Sequence, residues 1–397
     1  MLALGVISVG ICLVNVSLTT CITSAALCAV VVSSLVLSTL SLRGISVCRA
    51  SVRDGFVNGR INLALVVRNR RRRNRQAVVI QERLPFVEDP LVNVVVDPLL
   101  PQEERLVPRT VVAARRGYYK LNNVLLFGGD PAGFFRRTRS FTLPDELVVY
   151  PETVRIPWMP VFVKHRLHPS ATERTTGIAG LSREFFGVRE YRPSDGFRFI
   201  HWKASAKHRR LMTREYESHN FTQINILLDV DRRHVGLDPV KSNFEYLIMS
   251  AASICEYLAA TYCEVLFVTI RGADRSPVVI RGNGKGMMHS VANLLAVLEP
   301  CGTPVIELFD ASSTLFADNS ILYCLTMSEE QILYKRFDAL LNRRIDTRWI
   351  FAPPQLFPRS GIPRHEDLDR REPLKSGAVV PYVVRKNLDL STVLTYG

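Results

Sequence analysis

From Met1 to Leu42 the chain has no Asp, Glu, Lys or Arg. As one helix, at about 1.5 Å per residue, that run would extend about 60 Å, twice a hydrocarbon core of about 30 Å. Nothing basic precedes Arg43, which argues against a secretory signal with its positively charged n-region. Leu18-Thr19-Thr20-Cys21 carries Thr where a lipoprotein cysteine wants a smaller residue. A polar patch, Asn15, Ser17, Thr19, Thr20, Thr23 and Ser24, divides the run. The spacing therefore predicts a transmembrane hairpin with spans at Leu2–Leu18 and Ala25–Leu42. Neither Pro nor Gly marks the divide, so a single tilted or bent span fits the run as well.

Other absences narrow the chemistry. The eight cysteines include no C-x-x-C pair. Cys12, Cys21, Cys28 and Cys48 fall in or near the apolar run. Cys255, Cys263, Cys301 and Cys324 fall in apolar segments and read as reduced thiols of a cytoplasmic domain. Arg281-Gly282-Asn283-Gly284-Lys285-Gly286 precedes a helical pattern but lacks the Gly-Lys-Ser/Thr ending of a P-loop, so it reads as a strand-to-helix loop. His201 and Ser205 stand four apart with no positioned acid or oxyanion donor, which gives no support to a hydrolase triad. There is no internal repeat.

Negative charge is also scarce. The formal net charge is +14. Between Arg43 and Arg75, ten arginines stand against Asp54 alone. The positive-inside rule places this side of the apolar run in the cytoplasm. The Arg68–Arg75 cluster reads either as a solvated hairpin tip or as a contact for anionic headgroups. No aromatic residues interleave with these arginines to stack on bases, so nucleic acid is not an expected partner.

Beyond the basic run the chain changes character twice. Residues 54–156 read as all-β. Strands are expected at Ile61–Val67, Ala77–Ile80, Arg105–Ala114, Tyr118–Leu126, Thr138–Leu143 and Glu146–Tyr150, with Gly, Pro and Asp between them. That spacing suggests a sandwich of immunoglobulin type without its disulfide. Residues 157–221 form a connector. Residues 222–352 alternate strands and helices: Ile224–Val230, a helix from Asp238-Pro239, Val265–Ile270, Met287–Leu298, Ile321–Thr326, Glu329–Leu341 and Arg348–Ala352. This is the pattern of an open, mostly parallel, Rossmann-type sheet covered on both faces. The tail, 353–397, is Pro-rich and expected to pack loosely, with a late strand near Val379–Val384.

The connector holds the densest run of aromatic, basic and turn-forming residues, Gly187 to Glu217. From Arg183 to Glu217 nine Lys and Arg residues face five Asp and Glu residues. Pro193-Ser194-Asp195-Gly196 is a turn, after which Asp195 is placed to cap a helix from Phe197 to His208. Arg198 and Trp202, four apart, would then stack, with the indole packed at the junction between the two halves. The stretch has two readings: an ion-pair network that staples two domains, or a basic face for a protein, phosphate or nucleic-acid partner.

Arg189-Glu190-Tyr191, Asp195, Arg198, Ile200-His201-Trp202-Lys203, Ser205-Ala206-Lys207, Leu211 and Glu215 resemble the signature of the bacterial "domain of unknown function 58" family. Ser194 replaces the usual Gly and Lys207 the usual Arg. Arg116-Gly117-Tyr118-Tyr119 and Asp130-Pro131-Ala132-Gly133-Phe134-Phe135 extend the likeness, which covers about Val52 to Pro353. The resemblance implies a membrane-anchored protein of the bacterial cell membrane, with soluble domains in the cytoplasm and a von Willebrand factor A-like domain. It also implies a partner, a MoxR-type AAA+ ATPase. The lack of an acid–base pair, metal set or nucleotide loop favours a docking role; the alternative is an enzyme or nucleic-acid-handling protein using the basic face at 187–217. The metal-binding version of the A-like domain reads D-x-S-x-S at the end of its first strand. Here those positions are Asp229, Asp231 and Arg233. A guanidinium offers Mg²⁺ no lone pair and brings a like charge, so Asp229 and Asp231 would form a degenerate site at most. No other cofactor is implied.

Overall fold

The computed structural model of the chain describes residues 10, 18–50, 52–159, 185–191, 197, 200–216, 223–238, 240–261, 263–272, 276–358, 379, 381–387 and 389–396. It contains one N-terminal apolar helix and two further units, one built on β-sheets and one on a mixed α/β plan.

Helix α1, Leu18–Ser41, is continuous from Thr19 to Ser24, between the two expected spans, where a hairpin turn is expected. The correction has a simple cause. Thr23 donates its hydroxyl to the Thr19 carbonyl, Ser33 to Val30 and Thr39 to Val36. The hydroxyls find partners on their own helix and do not interrupt it. Cys21–Ser41 is long and apolar enough to cross a membrane. The other expected span, Leu2–Leu18, lies outside the described residues except for Gly10 and Leu18.

The β-rich unit begins at β1, Ile45–Arg49, earlier than the expected Asp54. It continues through β2 (Gly55–Phe56), β3 (Arg60–Asn69), β4 (Val78–Arg83), β5 (Leu91–Val96), β6 (Glu104–Val112), β7 (Gly117–Gly129) and β8 (Arg136–Tyr150). These make a three-stranded sheet, β1-β3-β6, and a five-stranded sheet, β2-β8-β7-β4-β5. Alternate residues of both sheets turn inward to two buried clusters, one around Leu65, Ile80 and Leu126, the other around Leu63, Phe86 and Leu147. Strands are expected on either side of Pro144, yet β8 runs through it. The β7–β8 register shifts between Leu121 and Asn123, opposite this point, so Pro144 withholds no ladder bond.

A salt-linked layer lies in this interior. Glu82 on β4, 2% exposed, meets Arg49 on β1 at 2.5 Å and also pairs with Arg109 on β6. One carboxylate thus joins the two sheets through two guanidinium groups.

A hairpin, β9 (Phe185–Glu190) with β10 (Met212–Tyr216), carries the short helix α2, Trp202–His208. The α/β unit then follows: β11 (Ile224–Leu228), α3 (Asn243–Ala259), β12 (Val265–Ile270), β13 (Pro277–Gly282), α4 (Gly284–Val297), α5 (Val305–Ser312), β14 (Ile321–Thr326), α6 (Gln331–Leu341), β15 (Asp346–Phe351), β16 (Tyr382–Val383) and α7 (Leu390–Tyr396). Six strands form one sheet in the order β13-β12-β11-β14-β15-β16. All neighbours are parallel except β12 and β13. β11, β12 and β14 are buried at every position, which explains their near-continuous apolar sequence. The end of the tail is not loose: β16 joins the sheet, and Leu390 and Leu394 are buried in its core.

Candidate functional site

The chain leaves β11 toward β12 on one side, while β14 lies on the other. The sheet therefore has a switch point at the carboxyl ends of β11 and β14, where open α/β sheets form a crevice. Asp229 follows β11 and is fully buried. Its carboxylate accepts the main-chain N–H of Asp231 at 2.9 Å and that of Met327, just after β14, at 2.9 Å. One side chain thus ties the two diverging strands. Burial pushes its pKa up to about 6, against the two main-chain donors, and the neighbouring Asp231 charge adds to the rise.

Asp231 is equally buried but differently partnered. Arg233 reaches it with Nη2 at 2.6 Å and Nε at 3.0 Å, and the Arg233 main-chain N–H donates at 3.0 Å. Burial opposes ionisation of Asp231, but the guanidinium and the main-chain donor outweigh it and hold the carboxyl below its usual range. The Arg233 side chain itself is 59% exposed. The two carboxylates expected as metal ligands are therefore both engaged within the protein, one by main-chain donors and one by a tethered cation. Among the described residues no group of three or more His, Cys, Asp or Glu side chains is arranged to hold a metal.

The stretch from Gly187 to Glu217 is the second feature. Its hairpin sets Glu190 opposite Met212, Arg189 opposite Thr213 and Gly187 opposite Glu215. Tyr191 stacks on Phe197 with ring centroids 5.8 Å apart. His201 caps α2: its Nδ1 accepts the Ala204 N–H at 3.1 Å, and its main-chain N–H donates to the Met212 carbonyl at 2.7 Å. The Ser205 hydroxyl donates to the His201 carbonyl at 3.1 Å and accepts the Met212 N–H at 2.8 Å. These contacts explain why His and Ser stand four apart. They fasten the helix to β10. Asp195 and Arg198 lie outside the described residues, and the helix is shorter than expected, beginning at Trp202 with His201 as its cap.

Trp202 corrects the sequence reading. It is 67% exposed, not packed at the junction. Phe197 at 75% and Leu211 at 43% are exposed close by in the chain. Lys203, Lys207, His208, Arg209 and Arg210 are exposed on the same short segment. Arg210 faces Glu190 at 3.2 Å, a pair open to solvent. Arg209 closes the helix with φ +51°, a left-handed position that glycine usually fills.

The junction between the two units is made elsewhere. Arg116, just before β7, donates Nε to the Leu295 carbonyl at 2.8 Å and Nη2 to the Leu298 carbonyl at 2.5 Å. It also pairs with Glu245 and lies 5.3 Å from the Phe244 ring centroid. Tyr150 donates to Asn293 at 3.1 Å, and the Val154 N–H to Ser253 at 2.8 Å. Beside this junction lies a cleft of about 580 Å³ lined in part by Arg115, Tyr118, Glu152, Lys241 and Glu299. Sequence reasoning singled out Arg116 only as part of a motif; the two carbonyls it binds lie 179 and 182 residues away.

No known protein-family profile matches the chain. It is 28% identical over 174 residues to "Uncharacterized protein YeaD" of Bacillus subtilis (strain 168), a match covering 38% of this chain and 42% of that protein. The chain thus spans less than half the length of that relative. Among solved structures it is matched with a β-glucosidase from Listeria innocua at 13% identity, 26% of this chain, 16% of that one and a TM-score of 0.16. A GH20 exo-β-N-acetylglucosaminidase from Vibrio harveyi is matched at 9% identity, 78% of this chain, 46% of that one and a TM-score of 0.17. Scores this low carry no likeness of fold.

Proposed function

We propose that the chain is a membrane-anchored interaction protein, held in a bacterial cell membrane by α1 with its two folded units in the cytoplasm. On this reading the β-rich unit is an immunoglobulin-like sandwich and the α/β unit a von Willebrand factor A-like domain. The partner is a MoxR-type AAA+ ATPase. The observation that carries the reading is the exposure of Trp202 beside Phe197, Leu211 and five basic or imidazole side chains. Large aromatic and cationic groups of this kind anchor protein interfaces, where Trp and Arg carry much of the binding energy. His201 and Ser205, the pair nearest to a catalytic arrangement in this stretch, are occupied in holding the helix that presents them.

The carboxyl edge of β11 adds a surface rather than a metal site. Arg233 fills the place of a cation beside Asp231, so Mg²⁺ would have to displace a bidentate ion pair. Calorimetry on the full chain should show weak Mg²⁺ binding or none, and Arg233→Ser should strengthen it. Tight binding to the wild type that is lost in Asp231→Asn contradicts this assignment.

The docking reading is tested by mixing the purified full chain with a MoxR-type ATPase. Charge reversal at Lys207 and Arg210 should slow association and flatten its salt dependence, because rim charges act mainly on the encounter rate. Unaltered association, or a partner that proves to be nucleic acid, contradicts it.

A further inference from the structure

The foot of α1 is gripped from two sides of the chain. Arg75, on the β3–β4 connection, donates Nη1 to the Leu40 carbonyl at 2.9 Å and Nη2 to the Arg43 carbonyl at 2.7 Å. The last carbonyls of a helix have no partners within it, and a guanidinium there also suits the negative end of the helix dipole. The β7–β8 hairpin approaches as well. A Cβ on Gly128 would stand 2.6 Å from Leu42 and 2.8 Å from the Ser41 hydroxyl, so a larger residue here would push those side chains aside. Beyond it, Asp130 gathers the N–H groups of Ala132 at 3.0 Å and Phe135 at 2.7 Å. It also accepts a hydrogen bond from the Ser34 side chain. Ser34 stands seven residues before Ser41, about 10 Å farther along the helix. The Asp130–Phe135 turn therefore rises beside the apolar segment, with Phe134 36% exposed.

Around this foot the charge is one-sided. Arg43, Arg70, Arg71, Arg72 and Arg73 are exposed. Among the described residues, none of them has a carboxylate within ion-pair distance, whereas Arg68 has Glu104 at 3.9 Å. Burial lowers the Arg75 pKa, and the nearby charges of Arg71 and Arg73 add to the fall. Arginines fixed at the end of an apolar helix would lie at the depth where lipid phosphates begin.

We propose that this collar of arginines binds anionic phospholipid headgroups of the bilayer that α1 crosses. The proposal rests on the reading of α1 as a membrane span. The ligand is a phosphodiester at the surface, not free phosphate: the cluster is tied to the helix end by Arg75, and its other arginines are exposed.

The test uses the full chain purified in neutral detergent, with bound lipid counted by native mass spectrometry after addition of phosphatidylglycerol or phosphatidylcholine. The wild type should retain phosphatidylglycerol at least tenfold over phosphatidylcholine, and the preference should fall as salt rises. A basic residue at a membrane surface is worth roughly fivefold in affinity. The triple change Arg70→Gln, Arg72→Gln, Arg73→Gln should abolish the preference. Lys203→Gln, Lys207→Gln, Arg210→Gln removes the same charge elsewhere and should keep it. Equal retention of both lipids by the wild type, or an unchanged preference in the arginine triple, overturns the proposal. Displacement of the lipid by inorganic phosphate at matched ionic strength overturns the choice of lipid. If the triple variant fails to fold, the wild-type lipid ratio and its salt dependence still decide. Alkaline carbonate extraction of membranes separates the two readings. Release of the wild type means that α1 does not anchor the chain; retention without lipid preference means that only the collar assignment is wrong.

Discussion

Arg116 of the β-rich unit donates to the Leu295 carbonyl of the α/β unit at 2.8 Å. Its side chain is only 7% exposed and pairs with Glu245. Arg116→Ala would leave two carbonyls and a carboxylate without their donor, a loss of about 2–4 kcal/mol. Differential scanning calorimetry of the full chain should show the main transition lowered and split, as the units uncouple. Arg116→Lys should not rescue it, since an ammonium cannot reproduce the guanidinium fork.

Glu82 links the two sheets of the β-rich unit through Arg49 and Arg109. Glu82→Gln leaves two buried guanidinium groups without a counter-charge and should cost about 3–5 kcal/mol. Urea unfolding followed by fluorescence measures this. Replacing all three residues by Leu or Met should recover most of the loss, because buried ion pairs and apolar packing of like volume are close in energy.

Asp229 should make stability depend on pH in the opposite sense from most carboxylates. Its folded pKa is raised to about 6 from 3.8. The folded state therefore binds more protons between those values, and the Asp229 contribution is complete below about pH 4 and lost as pH rises through about 6. The difference in unfolding free energy between wild type and Asp229→Asn should move in favour of the variant by about 3 kcal/mol from pH 4 to pH 7. A difference independent of pH would mean that Asp229 titrates normally.

Much of the α/β unit was legible because its strands are buried on both faces. Val265–Ile270 and Ile321–Thr326 are nearly continuous apolar runs, broken only by Thr269 and Thr326, and lie where the pattern puts them. β5 and β13 escape the sequence pattern: they are edge strands with many exposed positions, and Asn93 interrupts the apolar pattern of β5. Asp229, Asp231 and Arg233 were legible as a group because they are neighbours in the chain. The bond from Met327 to Asp229 and the reach of Arg116 to Leu298 join distant residues, and no local spacing encodes them. The exposure of Trp202 is not legible in the spacing, because an i,i+4 relationship says which face a side chain shares, not whether that face is covered.

Arg209 separates folding from recognition. At φ +51° a non-glycine residue is strained, so Arg209→Gly should leave α2 as stable or up to about 1 kcal/mol more stable. If Arg209 belongs to the docking face, the same change should weaken partner binding. A variant that melts no lower than wild type and binds less tightly would show the effect to lie in the surface.

The docking account turns on Trp202, which is 67% exposed on the outer side of the helix that His201 and Ser205 hold in place. The direct measurement is the affinity of the full chain for a MoxR-type ATPase, with and without Trp202→Ala, beside a melting curve of each protein. The account predicts a melting temperature within a degree or two of wild type and a loss of at least about 2 kcal/mol in binding, roughly thirtyfold. An affinity equal to wild type, or no binding by either protein, would contradict it.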